Sequence, residues 1–269
     1  MATTDKTSAS ATVNTDTTVG ADATVDAEEI ARFAALAGEW WDPDGGLGAL
    51  HRLNPLRLEF IRDRVAAHFG RDPLGTPAGK PPLAGLRLVD VGCGGGLLCE
   101  PMARLGATVT GIDAAAESVR VAAHHATGQG LDIDYRHATA EALAAAGERF
   151  DVVLTMEVVE HVADLDLFIA ACCGLLAPGG MIIVATLNRT PQAFALAIVG
   201  AEYLLRWLKP GTHDWRKFVR PAELARRLRA GGVDVAAMTG VRYSPFGRDW
   251  SLSRDLSVNY MVVGVKASG

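Results

Sequence analysis

The chain has only four cysteines in 269 residues, Cys93, Cys99, Cys172 and Cys173, and no two of them form a C-x-x-C pair. That spacing argues against a zinc site or a disulfide framework and points to buried thiols in a reducing compartment. No uninterrupted apolar run approaches the ~20 residues that cross a bilayer. The first 25 residues are mostly Thr, Ala, Ser and Asp with a single basic residue, Lys6. They lack the basic region and apolar core of a secretory signal and the arginines of a mitochondrial presequence, so 1–25 reads as a disordered tail. Also missing is the third glycine of a dinucleotide fingerprint, because G-x-G-x-x-G starting at Gly92 would need glycine where Leu97 stands. With no second glycine-rich phosphate clamp either, an NAD-dependent oxidoreductase is the weaker reading.

What is present is an ordinary globular composition, 49% hydrophobic and 21% charged, enough to bury one large core. The most informative stretch runs from Leu88 through Asp90, Gly92, Gly94 and Gly96 to Leu98, followed by Val109-Thr110-Gly111-Ile112-Asp113. It reads as a buried strand, a glycine turn, a helix start and a second strand ending on an acid. Glycines at 92, 94 and 96 permit positive φ and close approach of a ligand. Asp113 stands 21 residues after Gly92, the distance at which an acid meets ribose hydroxyls. The G-x-G-x-G spacing suits an adenosine ligand without a pyrophosphate, S-adenosylmethionine.

Asp26 with Glu29 gives a capping-box signal for a helix to about 41, and Asn54-Pro55 opens a second helix to about 69. A Pro/Gly-rich linker over 72–85 precedes the core. Strands at 87–91, 108–112, 133–136, 150–156 and 181–186 then alternate with helices at 97–105, 115–126, 139–145 and 164–176. This alternation predicts a parallel α/β sheet with right-handed crossovers. A helix at 221–230 and strands near 234–242 and 258–265 follow, the last two pairing as an antiparallel hairpin that closes one edge. Val91 and Leu97 belong to the core.

Glu157, Glu160 and His161 have i, i+3, i+4 spacing just past the end of the 150–156 strand. On a helix they would share one face at the ligand crevice. With S-adenosylmethionine as the ligand, an acceptor hydroxyl of pKa ~10 would have to lose its proton. Either the trio ligates Mg²⁺, which lowers the pKa of a bound hydroxyl, or His161 is the general base. His213-Asp214 is an alternative base pair, while His124 and His125 read as solvated.

The connection from 188 to 220 is long enough to be an insertion. Pro191–Leu208 is apolar, and Arg206–Arg229 carries eight Lys/Arg against two acids in a chain of net charge −5. An apolar segment beside a basic cluster, with Trp207 and Trp215 near the junction, suits an anionic bilayer surface. The acidic overall charge argues against nucleic acid as a partner.

Several motifs together carry a family resemblance: Trp40-Trp41-Asp42, 51–57, Asp90–Gly96, Met156–Val162, Thr186–Arg189, 199–203, 211–214 and Val258–Met261. From about Glu28 to Met261 the chain resembles the class I S-adenosylmethionine-dependent methyltransferases, and among them the ubiquinone-biosynthesis O-methyltransferases (UbiG). The resemblance implies a doubly wound, seven-stranded, mostly parallel α/β sheet, Rossmann-like, with N-terminal helices and a helical insertion after the fifth strand. The methyltransferase domain would span 26–269, with 187–220 facing substrate and membrane.

The same resemblance implies S-adenosylmethionine as cofactor. Arg57 would meet the methionine carboxylate, Gly92 with Gly94 and Gly96 would form the loop, Asp113 would hold the ribose, and Met156 would line the adenine side. It favours Mg²⁺ at Glu157, Glu160 and His161. The implied substrates are polyprenylated phenols and quinols, methylated at two steps. The implied setting is the bacterial cytoplasm, peripheral on the inner face of the membrane, beside other quinone-biosynthesis enzymes. Another small-molecule methyltransferase and a non-catalytic lipid-binding protein of the same fold are the remaining alternatives.

Overall fold

The computed structural model describes residues 13–14, 24–196, 214–244, 247 and 249–269. Its strands are β1 (Val13–Asn14), β2 (Arg87–Val91), β3 (Thr108–Asp113), β4 (Asp134–His137), β5 (Phe150–Met156), β6 (Leu176–Leu187), β7 (Val233–Ser244), β8 (Asp249–Ser253) and β9 (Asn259–Lys266). They form one mixed sheet in the order β1-β4-β3-β2-β5-β6-β9-β7-β8. The helices are α1 (Ala27–Ala35), α2 (Gly48–His68), α3 (Cys99–Arg104), α4 (Ala116–Gly128), α5 (Ala140–Ala145), α6 (Leu165–Gly174), the short α7 (Pro191–Ala193) and α8 (Pro221–Ala230).

Successive side chains of a strand point to opposite faces, and both faces here are apolar. Leu88, Val109, Val152, Leu154 and Ile183 meet α2, α3 and α4 on one side. Val89, Val91, Val153, Ile182 and Val184 meet α5, α6 and α8 on the other. The parallel strands therefore read as continuous apolar runs. All four cysteines are free and buried, as expected.

The sheet departs from the seven expected strands. Besides the two-residue pairing of Val13–Asn14 with β4, an eighth main strand, β8, pairs antiparallel with the end of β7. Its sequence, Asp-Trp-Ser-Leu-Ser, alternates but spans only five residues with two apolar positions, too short a signal to announce a strand by itself; β7, by outrunning β9, supplies its ladder. The final antiparallel pair does form, but β9 sits inside the sheet between β6 and β7, and β8 takes the edge.

Two helical expectations also change. α2 begins at Gly48 and keeps Pro55 inside it, because buried Leu53 and the Asn54 Nδ2 to Leu97 O bond of 2.9 Å anchor the extra turns. That anchoring outweighs the helical hydrogen bond the proline cannot make. At α1, Asp26 caps as predicted by accepting from the Glu28 amide, whereas Glu29 turns away toward His161 and Lys217.

Candidate active site

The glycine turn after β2 is held from β3. The Gly92 and Cys93 amides donate to Ile112 O at 2.8 and 3.0 Å. Asp113, at the end of β3, accepts from the Gly94 amide at 2.9 Å and the Ala115 amide at 2.8 Å. Burial raises its carboxyl above the usual range, and those two amides oppose the rise.

Gly92 adopts φ +76° and borders the cavity described below. Gly94 and Gly96 do not border it; their missing Cβ atoms serve packing. A Cβ on Gly94 would lie 2.2 Å from the Trp40 ring, and one on Gly96 2.2 Å from Tyr135 Oη. Trp40, buried on this turn, donates to Ser118 Oγ at 3.2 Å. Trp41 donates to Gly95 O at 3.0 Å and stacks on His125 at 3.6 Å between ring centroids. His125, expected in solvent, thus lies beneath an indole with Nδ1 2.5 Å from buried Glu100. His124 is exposed, as expected.

A cavity of about 1410 Å³ opens at the carboxyl ends of the parallel strands. It exceeds the ~300–1,000 Å³ that one drug-sized ligand fills, leaving room for a cofactor and an acceptor together. Gly92, Asp113, Leu97 and Met156 line it, as do Arg57, Glu157 and His161. Leu97 and Val91 are both core and lining.

Arg57, buried on α2, pairs with Glu157, whose Oε1 also accepts from Asn259 Nδ2 at 2.9 Å. Glu157 is the one described non-glycine residue at positive φ, +58°. An L side chain costs about 1–2 kcal/mol there, and two partners about 100 residues away in sequence hold it.

The trio does not share a helical face, because residues 157–162 form turns. Glu160 is buried and does not border the cavity; its Oε2 accepts from Thr186 Oγ1 at 2.8 Å. Desolvation, and then the charge of Glu157, pushes its carboxyl well above the ordinary value. His161 Nδ1 lies 3.2 Å from Glu29 Oε2, with Phe33 edge-on to its ring at 5.1 Å. Contact with His161 holds the Glu29 carboxyl below its usual value despite partial burial. Lys217 lies 3.6 Å from Glu29 and donates to Asp26 at 3.1 Å.

Among the described residues no group of three or more His, Cys, Asp or Glu is placed to hold a metal ion. Glu29 and Asn259 were missed as site residues; capping spacing explained the first, and only the family motif contained the second. His213 and the stretch 197–213 lie outside the described residues, while Asp214 caps a 3-10 turn at Trp215–Lys217.

Comparison with known proteins fits this geometry. A "Methyltransferase domain" family model matches residues 89–184. The chain is 57% identical over 240 residues to the ubiquinone biosynthesis O-methyltransferase of Sinorhizobium medicae, covering 89% of this chain and 95% of that one. To the protein of the same name from Chelativorans sp. it is 59% identical over 243 residues, with 90% and 94% covered. Among solved structures, magnesium protoporphyrin IX methyltransferase from Synechocystis PCC 6803 with bound SAM superposes at TM-score 0.54 and 17% identity, over 93% of this chain and 100% of that one. The plantazolicin methyltransferase in complex with SAH gives TM-score 0.55 at 17% identity, over 89% and 98%. The two structures share the fold, and the sequence relatives share far more: the chain belongs to the ubiquinone biosynthesis O-methyltransferase family.

Proposed function

We propose that this chain transfers the methyl group of S-adenosylmethionine to phenolic hydroxyls of polyprenylated intermediates of ubiquinone biosynthesis, 2-polyprenyl-6-hydroxyphenol and 3-demethylubiquinol. The observation that carries this reading is one cavity joining the Gly92–Asp113 turn to Arg57, Glu157 and His161 in a chain of this family. The cofactor supplies an electrophilic methyl on a sulfonium. In the transfer the S–CH₃ bond breaks, an O–CH₃ bond forms and the phenolic proton goes to a base.

The residues present fit the cofactor. Asp113 is an acceptor for ribose hydroxyls, and Gly92 keeps the turn open beside it. Met156 is buried at the cavity wall for the adenine side. Arg57 offers a guanidinium suited to two parallel bonds with a carboxylate. Its present partner, Glu157, is the carboxylate that the methionine end would displace or share. His161 is the base in this reading, the imidazole that borders the cavity beside Glu157. Its Nδ1 faces Glu29, so Nε2 receives the proton, in the manner of a carboxylate-oriented imidazole.

The same residues do not fit Mg²⁺. A divalent ion needs converging ligands; the Glu157 and Glu160 carboxyls do meet, but Glu157 is engaged by Arg57 and Asn259, and His161 faces Glu29, so the three do not converge as one set. No step is therefore routed through a metal.

No helix among the described residues is long and apolar enough to cross a membrane. Exposed Phe194 and Leu196 support the peripheral role of 188–220, whose middle lies outside the described residues. Transfer of labelled methyl from S-adenosylmethionine to a short-prenyl demethylubiquinol tests the reaction. Wild type should methylate it, and His161→Ala should lose about 10²–10⁴-fold in kcat, the range of a general base. Absence of transfer by wild type that binds the cofactor would refute the reading.

A further inference from the structure

The rim of the sheet runs in register from Leu187 of β6 through Asn259 of β9 and Val241 of β7 to Leu252 of β8. β6 and β7 are both antiparallel to β9, so they run in the same direction. β7 continues past this rim for Arg242, Tyr243 and Ser244, which pair with β8 alone. The overhang therefore stands beyond the carboxyl ends of the parallel strands, where such sheets open their ligand crevice.

Tyr243 and Trp250 are directly opposite each other on this overhang, with ring centroids 5.1 Å apart and planes inclined at 53°. Both rings border the cavity, next to Leu53 and Val258. The pair is braced, because Trp250 packs against the core cluster that contains Leu53 and Phe60, and β8 packs on α2, which carries Arg57. Core burial does not explain the strand itself, whose residues are exposed or only half-buried. Gly240 makes the brace possible: a Cβ there would lie 1.7 Å from Asp255 O, so the connection that brings Ser257 and Val258 to the cavity could not fold back onto β7.

We propose that the Tyr243–Trp250 pair is the specificity-determining wall for the aromatic ring of the methyl acceptor. The opposite end of the cavity has the acid and glycine turn for a nucleoside, and Arg57, Glu157 and Asn259 stand between the two ends in the order of the strands. Two braced aromatic faces present a large apolar surface at little entropic cost, the chemistry that selects a flat phenol or catechol over an aliphatic alcohol. This assignment rests on the reading of the activity as phenolic O-methylation.

The test compares wild type, Trp250→Phe and Trp250→Ala for turnover of a short-prenyl demethylubiquinol and for affinity of S-adenosylhomocysteine by calorimetry. Trp250→Ala should raise the acceptor KM at least tenfold with S-adenosylhomocysteine affinity within twofold, and Trp250→Phe should restore KM to within threefold of wild type. An acceptor KM unchanged in Trp250→Ala would overturn the assignment, as would a loss of S-adenosylhomocysteine affinity in step with it, which would mark a structural role. If wild type turns over no quinol, the activity reading fails instead. The wall is then read from binding of plain catechol to the S-adenosylhomocysteine complex, which Trp250→Ala must weaken for the assignment to stand.

Discussion

Replacing Asp90 with asparagine should stabilise this protein increasingly as the pH rises from about 4 to about 7. Asp90 sits at the end of β2 with 2% of its surface exposed, and its Oδ2 accepts only a weak bond from Cys99 Sγ at 3.4 Å. Burial, with a further contribution from the charge of Asp113, raises its pKa from 3.8 to about 7. The folded state then holds a proton that the unfolded state has released, so stability falls as pH rises between those two values and stays low above them. Over that interval, at ~1.4 kcal/mol per pH unit, the loss amounts to about 4 kcal/mol. Asparagine has no such ionisation, and its carbonyl can still accept from Cys99. The stability of Asp90→Asn relative to wild type should therefore grow by about 3 kcal/mol between pH 5 and pH 8. Urea denaturation of both proteins at a series of pH values reads the difference directly, and carboxylates common to the two cancel. A difference constant to within about 0.5 kcal/mol across that range would refute the argument that Asp90 is held as a neutral acid.

Glu157→Ala and Glu157→Gly both leave buried Arg57 without its carboxylate, a loss of about 3–5 kcal/mol. Only alanine also keeps a Cβ at φ +58°, so the glycine variant should be the more stable by about 1 kcal/mol in urea titrations; the reverse order would contradict the left-handed assignment. Gly96→Ala places a methyl 2.2 Å from Tyr135 Oη at φ +87°, which should lower stability by about 2–5 kcal/mol. Tyr135→Phe removes the clashing oxygen, a buried hydroxyl with no hydrogen-bond partner among the described residues, and should recover part of that loss in a double-mutant cycle. Strict additivity in thermal melts would sink that explanation.

The parts of the fold that were legible are those written locally. Leu88–Val91, Val109–Ile112 and Phe150–Met156 are short apolar runs bounded by turn residues, and they became the central strands. Asp113 and Gly92 follow from a spacing within one β-α-β unit, and both border the cavity. What was illegible depends on partners far away in the chain. Spacing alone puts Glu157, Glu160 and His161 on one helical face, yet Arg57 and Asn259 draw Glu157 into a left-handed turn, and His161 turns to Glu29 away from the two carboxyls. Glu29 met the local rule for a capping box, but the His161 ring nitrogen and the Lys217 ammonium offer it better partners than a helix-terminal amide. β8 alternates over only five residues, too short a signal alone, and it exists by pairing with the overhang of β7.

The glycine turn shows how one motif serves two physical purposes. If all three glycines existed for close approach of a ligand, each would border the cavity, but only Gly92 does. Gly94 admits the edge of Trp40, and Gly96 admits Tyr135 from β4. Leu97, whose presence breaks the dinucleotide pattern, packs with Trp40, Ala37 and Leu47 into a small apolar cluster that seats the N-terminal helices over the turn. A glycine at 97 would remove that contact, so the residue that argues against a pyrophosphate ligand is also the one that fastens the N-terminal segment to the cofactor end. That segment then brings Glu29 to His161. The departure from the dinucleotide fingerprint and the assembly of the candidate base thus have a common cause in the packing of Leu97 and Trp40, which no spacing rule confined to the β2–α3 turn could express.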